Sequence, residues 1–291
     1  MRRGYDGRMS GGLAWHARDL VLDPAERTLV VGILNVTPDS FSDGGRFLDP
    51  EVAVAHALRM VEEGADVIDV GGESTRPGSD PVPADEELAR VLPVIGAIAA
   101  ARPELPISID TRKPEVAEAA LAAGARIVND VGAGRAEGMF EVVRAAGAGM
   151  VLMHMLGEPK TMQESPRYDD VVAEVRAFLR ERMEAAEAAG IEPEALVVDP
   201  GIGFGKTLEH NLLLLRHLEA LTELGRPVMV GPSRKRFIGA ILGLPEGDRD
   251  EGTVGAVVWA VAHGATIVRV HDVRSTVRAV RVADAIARVE R

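Results

Sequence analysis

An acid, three alternate glycines and a lysine follow one another in the segment Asp199-Pro-Gly-Ile-Gly-Phe-Gly-Lys206. The apolar run Leu196-Val-Val198 before it predicts a buried strand, which Pro200 ends because proline cannot donate to a ladder. The glycines allow a sharp turn and a close approach to a ligand, and Phe204 between two of them is an unusual residue for a simple connection. Glycine-rich turns also occur as plain connectors, so the segment indicates a site only if other predicted strands end in similar groups.

Polar side chains do end the other predicted strands. The residues and segments at these strand ends are Asn35, Gly71-Gly-Glu-Ser-Thr75-Arg76-Pro77-Gly78, Asp110 with Thr111, Asn129 with Asp130, His154, Gly231-Pro-Ser233-Arg-Lys235, and Arg269-Val-His271. In a barrel of parallel strands the carboxyl ends meet at one rim, where active sites lie. The sequence therefore predicts an active site on this rim.

Three of these groups favour a neutral ligand. Asp110, Asn129 and Asp199 are short hydrogen-bonding residues that we expect to project into the mouth of the barrel. Without a matched cluster of lysines, they suit a ligand rich in N–H donors, such as an amino-substituted heterocycle. The alternative is a metal site, which separated acids on different strands favour less.

Three cationic side chains come from the last two strands. Lys235, Arg269 and His271 lie where barrels often bind phosphate, and we expect Ser233 to cap the helix that follows it. The alternatives are a surface ion pair for Arg269 and a cap or core role for His271. The Arg-x-His spacing favours binding, because it places both side chains on one face of the strand.

The loops after the first two strands are long and rich in Gly, Ser, Pro and Asp, which is typical of lids or binding loops. Aromatic residues make up only 3% of the chain, so Phe41 and Phe204 are candidates to hold a ring. The alternative is that each ring packs beneath its own loop.

The elements that must position these residues alternate regularly. Strands are predicted at 29–34, 67–70, 106–109, 126–128, 148–153, 196–198, 228–230 and 266–270, and helices at 50–63, 85–101, 114–123, 139–146, 168–189, 208–221, from about 234, 253–263 and 273–288. The strands are continuous apolar runs, as in parallel sheets buried on both faces. Eight such units predict an α/β fold, a single-domain (β/α)8 TIM barrel over 29–291, with 1–28 as an N-terminal tail and possible hairpin. A doubly wound open sheet is the alternative.

Composition limits the class of protein. The chain has 291 residues, no cysteine and a formal net charge of −12. The absence of cysteine excludes disulfides and thiolate zinc sites and agrees with a cytoplasmic location. The negative charge argues against general nucleic-acid binding, and no apolar run has the length of a membrane span or a signal peptide. We therefore expect small-molecule substrates, with no nucleic acid and no membrane as partners.

Several of these segments together resemble the dihydropteroate synthases, folate-pathway enzymes inhibited by sulfonamides. The resemblance runs from about residue 29 to 272 and is carried by residues 32–45, 71–78, 108–111, 128–130, 153–155, 159–163, 199–206, 233–235 and 269–272. It implies a barrel that joins 6-hydroxymethyl-7,8-dihydropterin diphosphate to 4-aminobenzoate, giving 7,8-dihydropteroate and diphosphate. It also implies Mg²⁺ as cofactor and a homodimer.

The resemblance further implies roles for individual residues. Asp110, Asn129, Asp199, Lys235 and Arg269 would bind the pterin, with Asp110, Lys235 and Arg269 as the catalytic group. The diphosphate would be bound by Asn35, Thr75, Arg269 and His271, with Mg²⁺ near Asn35. The 4-aminobenzoate site would be lined by Phe41, Arg76, Pro77, Phe204, Ser233, Lys235 and Arg236. Arg236 stands where some members carry serine, so we expect it to act through its backbone N–H at the start of a helix.

The expected chemistry is a dissociative substitution without a covalent enzyme intermediate. Two rivals are a methyltetrahydrofolate-binding methyltransferase domain and a non-catalytic pterin-binding relative. The methyltransferase reading is disfavoured by the segment Ser233-Arg-Lys235 and by the cationic side chains of Arg269 and His271. The non-catalytic reading is disfavoured because degenerate copies tend to lose charged positions, whereas this chain keeps Asn35, Lys235, Arg269 and His271.

Overall fold

The computed structural model describes residues 13–37, 50–74 and 78–289. Within these residues eight parallel strands form one sheet. They are β3 (Leu29–Asn35), β4 (Val67–Gly71), β5 (Ile107–Asp110), β6 (Ile127–Asp130), β7 (Gly149–Met153), β8 (Leu196–Asp199), β9 (Met229–Val230) and β10 (Ile267–Val270). They pair in the order β8-β7-β6-β5-β4-β3-β10-β9. A parallel bridge between Val198 and Val228 joins the two end strands, so the sheet is a nearly closed barrel. The predicted TIM barrel is confirmed, and the open sheet is not.

Helices surround the barrel. In the described part of the chain they are α1 (Pro50–Glu62), α2 (Ala84–Ala101), α3 (Pro114–Ala122), α4 (Met139–Ala146), α5 (Val171–Ala188), α6 (Leu208–Arg216), α7 (Glu219–Thr222), α8 (Arg236–Leu242), α9 (Asp250–Ala262) and α10 (Val273–Arg288). The predicted helix 208–221 is in fact two helices, because His217 leaves the helical conformation with φ −114 and ψ 33. The predicted start of α5 at 168 was also early: Asp170 caps the helix by accepting from the N–H groups of Val172 and Ala173 at 3.0 Å.

A hairpin closes the amino-terminal end of the barrel. Its strands β1 (Trp15–Ala17) and β2 (Leu20–Leu22) pair antiparallel. The Trp15 side chain is buried, and its Nε1 donates to the carbonyl oxygen of Ala195 at 3.1 Å. A Cβ atom at Gly149 would lie 2.9 Å from that Nε1, so only glycine lets β7 approach the indole this closely. The division of the chain at residue 28 stays a prediction.

The barrel interior changes character along the strands. Its lower layer is apolar and is formed by Leu29, Val31, Val67, Ile127, Val151, Val197, Met229 and Ile267, which pack with Trp15 and Ala17. Side chains alternate between the two faces of a strand, so the next inward positions lie two residues further on. On β4 and β10 those positions are Asp69 and Arg269. The same strands that build an apolar core below therefore deliver charges above it.

Candidate active site

One arginine joins two acids across the upper layer. Arg269 on β10 donates from Nε to Asp69 Oδ2 and from Nη2 to Asp110 Oδ2, both at 2.6 Å. Asn129 on β6 donates from Nδ2 to the same Asp69 oxygen at 2.9 Å. Four strands thus meet in one hydrogen-bonded group, and the predicted residues Asp110, Asn129 and Arg269 lie together.

Asp69 is the member of this group that sequence reasoning missed. The predicted site residues follow their strands, whereas Asp69 lies inside β4, two residues before the strand ends. A signal was present, because an acid in the run Val67-Ile-Asp-Val70 interrupts an otherwise apolar buried strand. The side chain of Asp69 is 1% exposed.

Two carboxylate oxygens in this group have no donor among the residues that the structure describes. Asp69 Oδ1 and Asp110 Oδ1 are buried and make no hydrogen bond to any described residue. Burial raises the pKa of Asp110 to about 7; Arg269 and Lys235 oppose the shift, and Asp69 and Glu87 add to it. A buried acceptor without a donor is costly, so Asp110 Oδ1 marks a place where a ligand can supply an N–H group.

Asp199 adds a second acid to the mouth of the barrel. It is 4% exposed and accepts the N–H of Gly201 at 2.6 Å. Burial raises its pKa to about 6, against the effects of the Gly201 hydrogen bond and the nearby cations Lys235 and Arg269. Asp110 and Asp199 are therefore acids that burial makes easier to protonate than usual.

Phe204 and Lys235 form a contact beside these acids. The Lys235 Nζ lies 4.0 Å from the centroid of the Phe204 ring, within cation–π distance. The ring is 8% exposed and packs with Val131, Met153, Met155 and Met162, which belong to β7 and to the segments after β6 and β7. Its role in holding a ligand ring stays a prediction. Gly203 has φ +85, and a Cβ atom there would lie 3.0 Å from Lys235 Cδ, so glycine keeps this contact open.

Lys206 and His154 support that loop from beneath. Lys206 Nζ lies 2.9 Å from His154 Nδ1 and donates to the Phe204 carbonyl oxygen at 2.9 Å. Burial lowers the pKa of Lys206 to about 7 and that of His154 to about 2. Gln163 Nε2 also donates to the Gly203 carbonyl oxygen at 2.8 Å. His154 thus ends its strand as predicted, but its ring fixes the loop that carries Phe204.

His271 connects Ser233 with Asn35 at the rim. Its Nδ1 lies 2.9 Å from Ser233 Oγ, and its Nε2 lies 3.4 Å from Asn35 Nδ2. The prediction that Ser233 caps α8 is wrong, because the N-cap residue is Lys235 and has no side-chain cap. Arg234, with φ +56, makes a left-handed turn between Ser233 and the helix, and the Ser233 hydroxyl contacts His271 instead. Arg236 is exposed at the first residue of α8.

Two other rim residues stabilise their own loops. The carboxylate of Asp130 accepts the N–H groups of Gly132 and Gly134 at 2.6 and 2.7 Å. Thr111 Oγ1 accepts the N–H of Lys113 at 3.2 Å. The predicted residues Phe41, Thr75, Arg76 and Pro77 lie outside the described residues.

Asn35 offers an oxygen ligand to a hard cation. A Cβ atom at Gly71 would lie 3.8 Å from both Asn35 Oδ1 and Asp110 Oδ2, so both oxygens lie close to Gly71. Among the described residues, no group of three or more His, Asp or Glu side chains is arranged to hold a metal. Mg²⁺ commonly takes one or two protein oxygens and completes its shell with water and substrate phosphates, so Asn35 fits it.

No helix in the described part of the chain is long and apolar enough to cross a membrane.

Comparison with known proteins agrees with this arrangement. A family described as "Pterin binding enzyme" matches residues 31–271. The dihydropteroate synthase of Escherichia coli (strain K12) is 50% identical over 256 residues, which cover 88% of this chain and 90% of that relative. The Xanthomonas albilineans dihydropteroate synthase with 4-aminobenzoic acid has a TM-score of 0.90 and 50% identity, with 96% of this chain and 100% of that one covered. The same enzyme with 7,8-dihydropteroate has a TM-score of 0.86 and 47% identity, with 95% of this chain and 100% of that one covered.

The fold and the buried group of acids, amide and arginine define a pterin-binding barrel. The chain belongs to the pterin-binding enzyme family, and several relatives that it resembles over most of its length, that of Escherichia coli among them, are dihydropteroate synthases.

Proposed function

We propose that the chain condenses 6-hydroxymethyl-7,8-dihydropterin diphosphate with 4-aminobenzoate, giving 7,8-dihydropteroate and diphosphate in folate biosynthesis. The observation that carries this proposal is the group at the barrel mouth, where Arg269 is shared between Asp69 and Asp110 and the Oδ1 oxygen of Asp110 has no donor among the described residues. A pterin carries ring and amino N–H groups that match such acceptors.

In this proposal Asp110, Asn129 and Asp199 bind the edge of the pterin, and Arg269 stacks on its face. Asp199 and Asp110 accept from the pterin N–H groups. Lys235 lies near enough to Asp110 and Asp199 to oppose the rise of their pKa values, and it contacts the Phe204 ring. We therefore assign its ammonium to the pterin and its stem to the 4-aminobenzoate site. Asp110, Lys235 and Arg269 are the catalytic group.

The diphosphate binds at the rim beside His271. Asn35, Arg269 and His271 contact it, together with Thr75, and Ser233 orients the His271 ring through the hydrogen bond to Nδ1. Mg²⁺, when bound by Asn35 and the diphosphate, supplies charge neutralisation to the leaving group. The 4-aminobenzoate lies against Phe204, with Phe41, Arg76, Pro77, Ser233 and Arg236 as further contacts.

The reaction is a dissociative substitution at the pterin methylene. The bond from the methylene carbon to the diphosphate oxygen breaks with its electron pair on the diphosphate, which the cationic side chains stabilise. Positive charge then spreads over the methylene and the pterin ring, where the ionised Asp110 stabilises it. The amine of 4-aminobenzoate attacks the methylene carbon, and its surplus proton passes to solvent.

We further propose a homodimer through an apolar face on α6, α8 and α9. A groove of about 600 Å³ is lined there by Leu212, Phe237, Ile238, Ile241 and Trp259. Ile241 is 56% and Trp259 47% exposed, and contiguous exposed apolar surface of this kind marks protein interfaces. Sedimentation should give twice the mass of the 30.9 kDa chain. Ile241→Asp should yield monomers, whereas Val282→Asp on α10 should not; a monomeric wild type would contradict the proposal.

A cytoplasmic location, which the absence of cysteine supports, also stays a proposal.

The test of function is a coupling assay on the purified protein. Dihydropterin diphosphate and 4-aminobenzoate are incubated with and without Mg²⁺, and dihydropteroate is detected by mass spectrometry. Metal-dependent product is expected from the wild type, and Asp110→Asn, which keeps the size of the side chain, should form at least a hundredfold less. Pterin binding by calorimetry without any product would overturn the proposal in favour of a methyltransferase-like or non-catalytic barrel.

A further inference from the structure

Asp69 lies below the mouth of the barrel. In the pairing of β4 with β5, Gly71 is opposite Asp110 and Asp69 is opposite Ser108, so Asp69 is two residues deeper. Its side chain is 1% exposed, against 10% for Asp110. Asp69 therefore acts on a ligand at the mouth only through the residues it holds.

Those residues are two of the proposed pterin-binding groups. A single Asp69 oxygen accepts from Arg269 Nε and from Asn129 Nδ2, which reach it from β10 and β6. Both side chains are long or rotatable enough to adopt other conformations. The shared acceptor fixes the guanidinium and the amide relative to each other.

The arginine is also divided between two acids. A guanidinium commonly gives two parallel hydrogen bonds to one carboxylate, whereas Arg269 gives Nε to Asp69 and Nη2 to Asp110. The single positive charge of Arg269 is thus shared by the carboxylates of Asp69 and Asp110. If Asp69 were neutral, Arg269 would compensate Asp110 more fully.

We infer that Asp69 is a positioning residue and a counter-ion of Arg269, and that it thereby keeps the charge of Asp110 available to the cation that forms on the pterin. The inference rests on the proposed function for its catalytic meaning. Its electrostatic core, the effect of Asp69 on Asp110, can be measured without substrate.

The protonation of Asp110 gives the direct readout. The charged groups that face it are Arg269, Asp69, Glu87 and Lys235, and Glu87 is itself paired with Lys113. Repulsion from Asp69 adds to the burial that raises the pKa of Asp110 to about 7. Replacing Asp69 with asparagine removes this repulsion and leaves Arg269 to Asp110, so the pKa of Asp110 should fall by about one unit.

The experiment compares the full-length wild type with Asp69→Asn and with Asp66→Asn. Asp66 lies just before β4, at the opposite end of the barrel, and forms an ion pair with Arg27. It therefore controls for the loss of an ion-paired acid. The pKa of Asp110 is measured in ligand-free protein by ¹³C-carboxyl NMR, with the signal assigned from Asp110→Asn. Asp69→Asn should lower that pKa and Asp66→Asn should not; an unchanged or raised pKa in Asp69→Asn would overturn the inference.

Steady-state kinetics tests whether Asp69 also supports turnover. In Asp69→Asn we expect kcat to fall about thirtyfold, with the KM for dihydropterin diphosphate changed less than about threefold, because the lost stabilisation belongs to the transition state. Since protonated Asp110 cannot stabilise a cation, the acid limb of kcat should move about one unit to lower pH. The positioning role would be contradicted if kcat fell only in proportion to the fraction of unfolded protein and the acid limb of the kcat–pH profile did not move. A wild type without product would count against the proposed function, and the NMR titration would still decide the inference.

Discussion

The lower and upper halves of the barrel interior are built by the same strands and do opposite things. The lower half is a closed apolar layer in which the one polar side-chain atom of Trp15 has its acceptor. The upper half buries Asp69 and Asp199, partly buries Asp110 and Arg269, and leaves two carboxylate oxygens without a donor among the described residues. Two inward positions along one strand are only about 7 Å apart. Stability is thus supplied at one end of each strand, and binding capacity at the other.

The acids of the upper half lower the free energy of unfolding of the ligand-free protein at neutral pH. The folded-state pKa values of Asp110 and Asp199, about 7 and about 6, lie above their ordinary value of 3.8. A raised pKa means that the folded state binds the proton more tightly, so these groups favour folding below about pH 4 and lose that contribution as the pH rises through 6 to 7. A ligand that supplies donors to these carboxylates relieves the cost.

The largest effect is expected in the lower half. Trp15→Ala should lower the free energy of unfolding by about 3–5 kcal/mol, because it leaves a cavity at the closed end and removes the hydrogen bond to Ala195. Chemical denaturation measures this loss, and Trp15→Phe should lose less. The protein that remains folded should keep kcat and KM within about twofold; a specific loss of kcat would show that the two halves are not separate.

A smaller effect, and one on binding, is expected for Asp199→Asn. Pterin affinity measured by calorimetry should fall about tenfold to a hundredfold, because the charge that accepts the pterin N–H groups is lost. Asp130→Asn is the matched control, since Asp130 is also buried with a pKa raised to about 6 but accepts from its own loop. Equal losses in the two variants would remove Asp199 from the pterin site.

The smallest effect is expected at the rim. Ser233→Ala removes the hydrogen bond to His271 Nδ1 and should raise the KM for dihydropterin diphosphate about threefold to tenfold, which corresponds to about 1 kcal/mol. The KM for 4-aminobenzoate, measured in the same assay, should change less. A rise confined to 4-aminobenzoate would place Ser233 at the other substrate.

The sequence allowed the barrel and most of the rim to be predicted because both follow from local patterns. Apolar strands alternating with helices predict the fold, and residues directly after each strand, such as Asp199, predict the rim. Asp69 was missed because its importance depends on Arg269, which is 200 positions away in the sequence. The partner of Ser233 was missed for a related reason, since the left-handed turn at Arg234 is not a usual choice for arginine. Local patterns identify which side chains reach the barrel interior, but not which of them pair there.

If the upper half of the interior favours binding over stability, Asp110→Asn should raise stability and abolish turnover together. The free energy of unfolding of ligand-free wild type and variant is measured by denaturation at pH 7.5, and product formation is measured on the same preparations. The variant should be about 1–3 kcal/mol more stable than the wild type, because a largely buried charge is removed while Arg269 keeps its bond to Asp69, and its turnover should fall at least a hundredfold. A variant that is less stable than the wild type, or that keeps its turnover, would show that the upper half does not trade stability for binding.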